Sequence, residues 1–387
     1  MLTKLAVSNY RSLLSLKMPL TGLNVITGPN GSGKSNIYRA LRLLAETARG
    51  GVIAALASEG GLDSTFWAGP ETLSKAMIRG DVPVQGTPRQ KSVRLKLGFA
   101  SEELGYLIEL GLPEPLPYPS AFERDPEIKR ECIWVGDSYR RASSIVERAG
   151  PLVKAREGRS WKAVVHNIPN YDSMFDVAAG IDTTMAVFQM REMIAGWRFY
   201  DHFRTDRDAP ARQPQLGTRT PVLHHDGRDL AAAIQTIKEI GDEEALDAAI
   251  SDAFPGASVS ILTQSDGRFT LEFSQHGLLR PLSAAELSDG TLRYLLLVAA
   301  LLTPRPPTLL VLNEPENSLH PDLLPALARL IVRVSRYTQV WVVSHANRLN
   351  QALVRESDCS SIQLEKQLGQ TIICGQSEFD QPAWHWS

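Results

Sequence analysis

Gly28-Pro29-Asn30-Gly31-Ser32-Gly33-Lys34-Ser35 matches the pattern GxxxxGK[ST] at every fixed position. The apolar run Leu23-Asn24-Val25-Ile26-Thr27 before it reads as a short buried strand. After it, Ile37, Ala40, Leu41 and Leu44 recur at helical spacing, which predicts a helix from Lys34 to about Ala48. Strand, glycine loop and helix in that order give the pattern its physical meaning. Glycines let backbone N–H groups approach a phosphate, and the helix dipole favours negative charge at the same place. Lys34 is placed to reach β- and γ-phosphates and Ser35 to ligate Mg²⁺; Gly28 through Asn36 are the candidate phosphate-binding residues. A glycine-rich turn with no ligand is the bland alternative.

The last third of the chain continues the same architecture. Leu292, Leu295, Leu296 and Ala299 make a helix stopped by Pro304, and Leu309 to Leu312 is a buried strand. Leu323, Leu324, Leu327 and Ile331 make the next helix, and Gln339 to Val343 the next strand. This alternation predicts an α/β fold with a parallel core sheet. Leu309-Leu310-Val311-Leu312-Asn313-Glu314-Pro315 has the form of a Walker B strand, with Glu314 placed to polarise water as a general base. Asn313 stands where an aspartate usually holds Mg²⁺ through water. Its amide oxygen still accepts a hydrogen bond, but one negative charge is missing. At ~4 Å and an effective dielectric of about 20 that charge is worth at most ~4 kcal/mol. Binding is expected to survive, with weaker Mg²⁺ affinity or slower turnover; an ordinary strand-end turn is the alternative.

Between these parts the pattern changes. Val93 to Phe99, Tyr106 to Leu112, Ser144 to Val146, Leu152 to Ala155 and Trp161 to Val165 read as an antiparallel β lobe. Helical periodicity returns between 183 and 252, interrupted by a loop at 205–228, and Val259 to Phe273 forms a hairpin around Asp266-Gly267. The expected organisation is a discontinuous core, 1–75 and 255–387, with an inserted β and helical lobe at 76–254. The tail reads as one more hairpin around Gly369, then Trp384 and Trp386 as docking or core contacts.

The bulk numbers exclude little but point one way. A formal charge of −2 gives no global attraction to nucleic acid, so DNA contact would need a local patch. Tyr139 to Lys162 offers one: Arg140, Arg141, Arg148, Lys154, Arg156, Arg159 and Lys162. In a β lobe these could track a phosphate backbone; a solvated sheet face is the bland reading. Three widely spaced cysteines, no CxxC pair, no apolar run near membrane length and no signal peptide suggest a reducing cytoplasm.

Leu287-Ser288-Asp289-Gly290-Thr291 resembles the ATP-binding-cassette signature Leu-Ser-Gly-Gly-Gln, departing from it at Asp289 and Thr291. Taken alone, Ser288 is equally a helix N-cap. Its place one helix before the Walker B strand favours the signature. Ser344-His345 falls where cassette proteins keep a switch histidine, and Asn317 to His320 at the D-loop position. With Asn9-Tyr10-Arg11-Ser12 and Asn-Glu-Pro-Glu at 313–316, these motifs resemble the RecF/SMC/OLD-like branch of ABC-type ATPases. The resemblance covers both ends of the chain well and the middle loosely.

It implies a P-loop ATPase head using ATP and Mg²⁺, with Glu314 and His345 catalytic and Arg11 near the nucleotide. It also implies a head-to-tail homodimer in which Ser288 and Gly290 of one copy complete the ATP held by Lys34 of the other. Action on DNA, or with a DNA-acting partner in repair or phage defence, follows from the branch. The alternative is a slow regulatory or scaffolding ATPase that controls a separate effector or nuclease protein without touching DNA. A transporter subunit is disfavoured by the long spacing from P-loop to signature. No Q-loop glutamine is evident, although Ser64-Thr65-Phe66-Trp67 lies near its place. Long heptad arms and a Toprim domain are absent from this sequence.

Overall fold

The computed structural model describes residues 1–70, 74–82, 93–114, 119–177, 185–356, 359–377 and 379–386. Residues 183 and 184, at the start of the expected second helical stretch, lie outside them. Along the chain come β1 (Leu2–Tyr10), β2 (Leu13–Pro19), β3 (Leu23–Thr27), α1 (Lys34–Thr47) and α2 (Val52–Ser58). Next are β4 (Leu95–Ser101), β5 (Leu104–Gly111), β6 (Glu127–Val135), β7 (Ser144–Ala149), β8 (Leu152–Glu157), β9 (Ser160–Val165) and α3 (Met185–Ala195). Then follow β10 (Arg198–Tyr200), β11 (Gln215–Leu216), α4 (Leu230–Ile240), α5 (Glu243–Ala253), β12 (Ser258–Thr263), β13 (Arg268–Ser274) and β14 (Leu282–Ser283). The chain closes with α6 (Asp289–Leu301), β15 (Leu309–Asn313), α7 (Leu324–Val334), β16 (Gln339–Val343), α8 (Asn347–Glu356), β17 (Ser360–Gln367) and β18 (Gln370–Ile373).

These elements form two compact units. The first comprises 1–21, 28–196 and 362–387, and the second 22–27 and 197–361. The expected insertion, 76–254, is therefore shared between them. The cause is β10, too short to be legible in sequence, which pairs in parallel with β15 (Tyr200 opposite Leu312) and draws the following helices into the second unit.

The first unit is built on an antiparallel eight-stranded sheet in the order β2-β1-β4-β5-β6-β7-β8-β9. The N-terminal hairpin and the middle strands are one sheet because Val7 pairs with both Leu16 and Leu97. Strand β6 was not expected, since Glu127, Lys129, Arg130 and Glu131 break its apolar alternation. Glu131 is instead buried within the unit, and burial of a charge requires a partner. That partner is Arg148, equally buried, whose Nη1 donates to Glu131 Oε2 at 3.0 Å. The carboxylate also accepts from Tyr106 Oη at 2.7 Å, Ser173 Oγ at 2.6 Å and the Met174 N–H at 2.9 Å. Burial, reinforced by Glu131, holds the Tyr106 hydroxyl far above its usual range. The tail docks on the same sheet: Trp384 meets Trp134 edge-on at 5.5 Å, over Gly98, where a side chain would strike its ring.

The second unit carries the parallel strands in the order β10-β15-β16-β3, with Leu310 opposite Val340 and Val342 opposite Val25. Strand β3, from the N-terminal part of the sequence, pairs here with β16 in the parallel sense. Its core joins Ile234 and Ile237 of α4, Leu246 and Ile250 of α5, Leu295 and Leu296 of α6, and Leu327 and Ile331 of α7 to the sheet. A small antiparallel sheet, β11-β13-β12 with β14 beside β13, completes it.

Candidate functional site

The phosphate-loop residues lie in the first unit, and the local geometry explains their identities. Gly28 and Gly33 have φ of +146° and +109°, a region disfavoured for residues with a Cβ. A Cβ on Gly33 would also collide with Thr371, and one on Gly28 with the Leu364 carbonyl and Ser32 Oγ. The loop is therefore braced by the β17–β18 hairpin. Thr371 Oγ1 donates to the Ser32 carbonyl at 2.8 Å and lies 2.6 Å from Ser12 Oγ, which accepts from Asn36 Nδ2 at 2.7 Å. Asn36 thus spends its amide on the Asn9–Ser12 turn. Leu368 and Gly369, both at positive φ, make the two-residue turn that sets the hairpin's register.

The loop fits an anion. Helix α1 starts at Gly33 with no side-chain cap and no acidic residue in its first turn, so its leading N–H groups and dipole are available. Lys34 is nearly buried, with Nζ donating to the Gly28 and Pro29 carbonyls at 2.6 and 3.1 Å. Ser32 Oγ is buried without a partner. Pro29, Asn30, Gly31 and Ser35 are exposed. Arg11 is committed elsewhere: its guanidinium pairs with Glu59 at 2.7 Å, and its N–H donates to Thr65 O. Phe66, in the stretch considered for the Q-loop, bridges to Tyr10.

A second cluster sits in the second unit, where β15 and β16 end side by side. Asn313, half-buried, is paired with Val343, and the chain turns sharply at Glu314, whose φ is +49°. A non-glycine residue held there implies constraint from its surroundings. The Glu314 N–H donates to Val343 O at 2.7 Å, and its carbonyl accepts from Arg293 Nη2 at 3.2 Å. Its carboxylate accepts from Asn317 Nδ2 at 2.8 Å and stays 39% exposed. His345 Nδ1 lies 3.7 Å from Glu314 Oε1 and 3.3 Å from Glu316 Oε1. Arg293 is buried beneath this cluster. Burial pulls its guanidinium below the usual range, against the attraction of Glu316 and Glu314.

The sequence from 23 to 349 matches the family described as an AAA domain, putative AbiEii toxin, Type IV TA system. The chain belongs to that family. It is therefore an ATPase, in agreement with the motifs. Its α/β fold is that of SMC ATPase heads. An SMC head solved with the C-terminal winged-helix domain of ScpA matches at 14% identity, with 98% of each chain covered and a TM-score of 0.54. The SMC head with coiled coil and joint from Pyrococcus yayanosii matches at 12% identity, again over 98% of each chain, with a TM-score of 0.50. No curated protein matches this sequence.

The remaining candidates of this ATPase are placed as follows. Ser288 caps α6, its Oγ accepting from the Thr291 N–H at 3.1 Å, so the capping role exists whatever else the residue does. Ser288 and Asp289 are exposed, and Gly290 is half-buried, with the Ser318 carbonyl where a Cβ would press. A residue missed in sequence organises this turn. Arg212, nearly buried, donates to Leu287 O at 2.7 Å, Ala284 O at 3.0 Å and Asp289 Oδ1 at 2.7 Å. In sequence it falls in the loop at 205–228, where nothing set it apart from the neighbouring arginines.

Among the basic residues proposed for DNA, Arg148 is corrected. It is wholly buried, spending its donors on Glu131 and on the Gly150, Pro169 and Asp172 carbonyls. A buried guanidinium with all these partners cannot reach a nucleic acid. Arg156 is half-buried and donates to the Ala142 and Gly158 carbonyls. Arg140, Arg141, Lys154 and Arg159 are exposed.

Proposed function

We propose that this ATPase binds ATP through Gly28–Ser35 and hydrolyses it with Glu314 as general base, two copies associating head to tail while ATP is bound. Lys34 and the leading N–H groups of α1 neutralise the phosphates. The exposed Glu314 carboxylate accepts a proton from the attacking water. His345, facing both Glu314 and Glu316, is suited to report the state of the γ-phosphate. Mg²⁺ would be held by the Ser35 hydroxyl and, through water, by the Asn313 amide oxygen; it supplies positive charge to the phosphate oxygens.

One observation carries the dimer reading. The 287–291 turn presents Ser288 and Asp289 to solvent, while the nearly buried Arg212 fixes it from behind with two bonds, to the Leu287 carbonyl and the Asp289 carboxylate. A surface turn held that firmly suits recognition of something outside the chain, and the signature's role is to complete a neighbour's ATP. Gly290, close to Ser318, keeps that edge compact. Glu314→Gln should trap the ATP-bound dimer. Light scattering that finds the same monomer with and without ATP refutes head-to-tail gating.

The output of the cycle has two readings. In the first, exposed Arg140, Arg141, Lys154 and Arg159 contact DNA or dock a DNA-acting partner in repair or phage defence. In the second, the protein is a slow regulator that restrains a separate effector. Asn313 favours slow turnover, and removing Arg148 from the basic set weakens the DNA reading. The family description, naming a toxin and a TA system, supports a defence setting, and the winged-helix complex of an SMC head supports a protein partner. Salt-dependent DNA affinity of the lone protein supports the first reading, and its absence at low salt supports the second. Free thiols at Cys132 and Cys374 suit a reducing cytoplasm, and no helix among the described residues is long and apolar enough to cross a membrane.

A further inference from the structure

Glu316 closes the Asn-Glu-Pro-Glu stretch, and it is the most heavily used carboxylate of the second unit's cluster. It is nearly buried, and its Oε1 accepts from Ser344 Oγ at 2.8 Å, the His345 N–H at 2.9 Å and the Ala346 N–H at 3.2 Å. The same oxygen lies 3.3 Å from His345 Nδ1. Its other oxygen is buried with no partner. A buried carboxylate is costly unless opposite charge is near, and Arg293, buried and electrostatically coupled to it, supplies that charge.

The connectivity is specific. Glu316 follows Glu314 by two residues, across Pro315, whose ring restricts the backbone between them. The three donors it gathers are consecutive in sequence, at the loop leaving β16. One carboxylate thus ties the segment carrying the proposed base to the segment carrying the proposed switch histidine.

We infer that Glu316 is a positioning residue: its Oε1 sets the His345 loop against Glu314, so that base and histidine act as one assembly. This rests on the ATPase reading above. The competing account is plain helix capping, because Ala346 directly precedes α8 and a carboxylate at a helix start is stabilising in any case. Capping alone predicts lost stability with an unaltered chemical step. Positioning predicts a loss that passes through His345.

The test has two arms. In nucleotide-free protein, Glu316→Ala should speed hydrogen exchange at the His345 and Ala346 amides by about tenfold, since a charged acceptor is withdrawn from both. Glu316→Gln, which keeps an oxygen for these donors, should largely restore protection. In turnover assays, Glu316→Ala should lower kcat about tenfold with ATP affinity unchanged, and adding His345→Ala should cause little further loss. If alanine does not fold, Glu316→Asp carries the same expectations, because it keeps the charge but withdraws the oxygen by one methylene. Unchanged amide exchange, or losses that multiply in the double variant, would overturn the inference. A normal kcat for Glu316→Ala beside an inactive Glu314→Gln overturns it while sparing the general base. A fully active Glu314→Gln sinks the base reading instead, and the exchange arm still judges Glu316.

Discussion

Replacing Arg148 with methionine separates structural charge from nucleic-acid contact more sharply than any other single change. The substitution keeps the length of the aliphatic stem and deletes the guanidinium. It removes donors to Glu131 and to the Gly150, Pro169 and Asp172 carbonyls at once. Glu131 keeps Tyr106, Ser173 and Met174 as donors, but its negative charge, with no exposed surface, loses its countercharge. Breaking a buried pair by deleting one partner costs about 3–5 kcal/mol. Against a total stability on the order of 5–15 kcal/mol, that is a large fraction. The melting temperature should fall by about 10 °C in differential scanning fluorimetry. Combining it with Glu131→Gln should recover part of the loss, because no bare charge then remains buried. DNA affinity, if present, should keep its salt slope when measured on the folded variant. The argument is refuted if Arg148→Met melts within a degree or two of the parent, or lowers the salt slope by about one while leaving stability intact.

Other expectations follow from the same geometry. Asn313→Asp should strengthen Mg²⁺ dependence and raise ATP turnover, read as kcat across a magnesium titration; a fall in both would show that Asn313 is not the weak point. Gly33→Ala should abolish ATP binding by calorimetry, because the new methyl must enter space held by Thr371 in a backbone conformation suited to glycine. Arg212→Met should loosen the 287–291 turn and weaken ATP-dependent association while monomeric ATP binding persists, a split visible in light scattering against calorimetry. Burial pushes the Cys132 thiol up to about 12, so exposed Cys374 should be alkylated first at pH 8, with Cys132 reacting only on unfolding. The sign for stability is fixed by the same shift. The unfolded thiol ionises near 9.0 and the folded one near 12, so the contribution from neutral Cys132 is intact below pH 9 and is lost as the pH rises towards 12.

The candidate residues were legible wherever chemistry is carried by a contiguous motif. Gly28–Ser35 needs its neighbours only to form strand, turn and helix, and Asn313-Glu314 needs only to end a buried strand. The parallel pairing of β3, β15 and β16 followed from apolar runs short enough to be strands and separated by helical periods. Arg148 shows where this reasoning stops. Seven basic residues in one stretch look alike in sequence, and only the packing of β6 against β7 decides that one of them is a core residue.

What the sequence determined by itself was the local grammar: a phosphate loop between strand and helix, a carboxylate at a strand end, a serine heading a helix. Local backbone preferences and side-chain periodicity are enough to specify these. Only the tertiary structure decided which buried charges are paired, how 76–254 is divided between two units, and that Glu316 and Arg212 hold loops far away along the chain. Those outcomes depend on desolvation, and the penalty for burying a charge is set by the partners that folding brings beside it, which no single segment encodes.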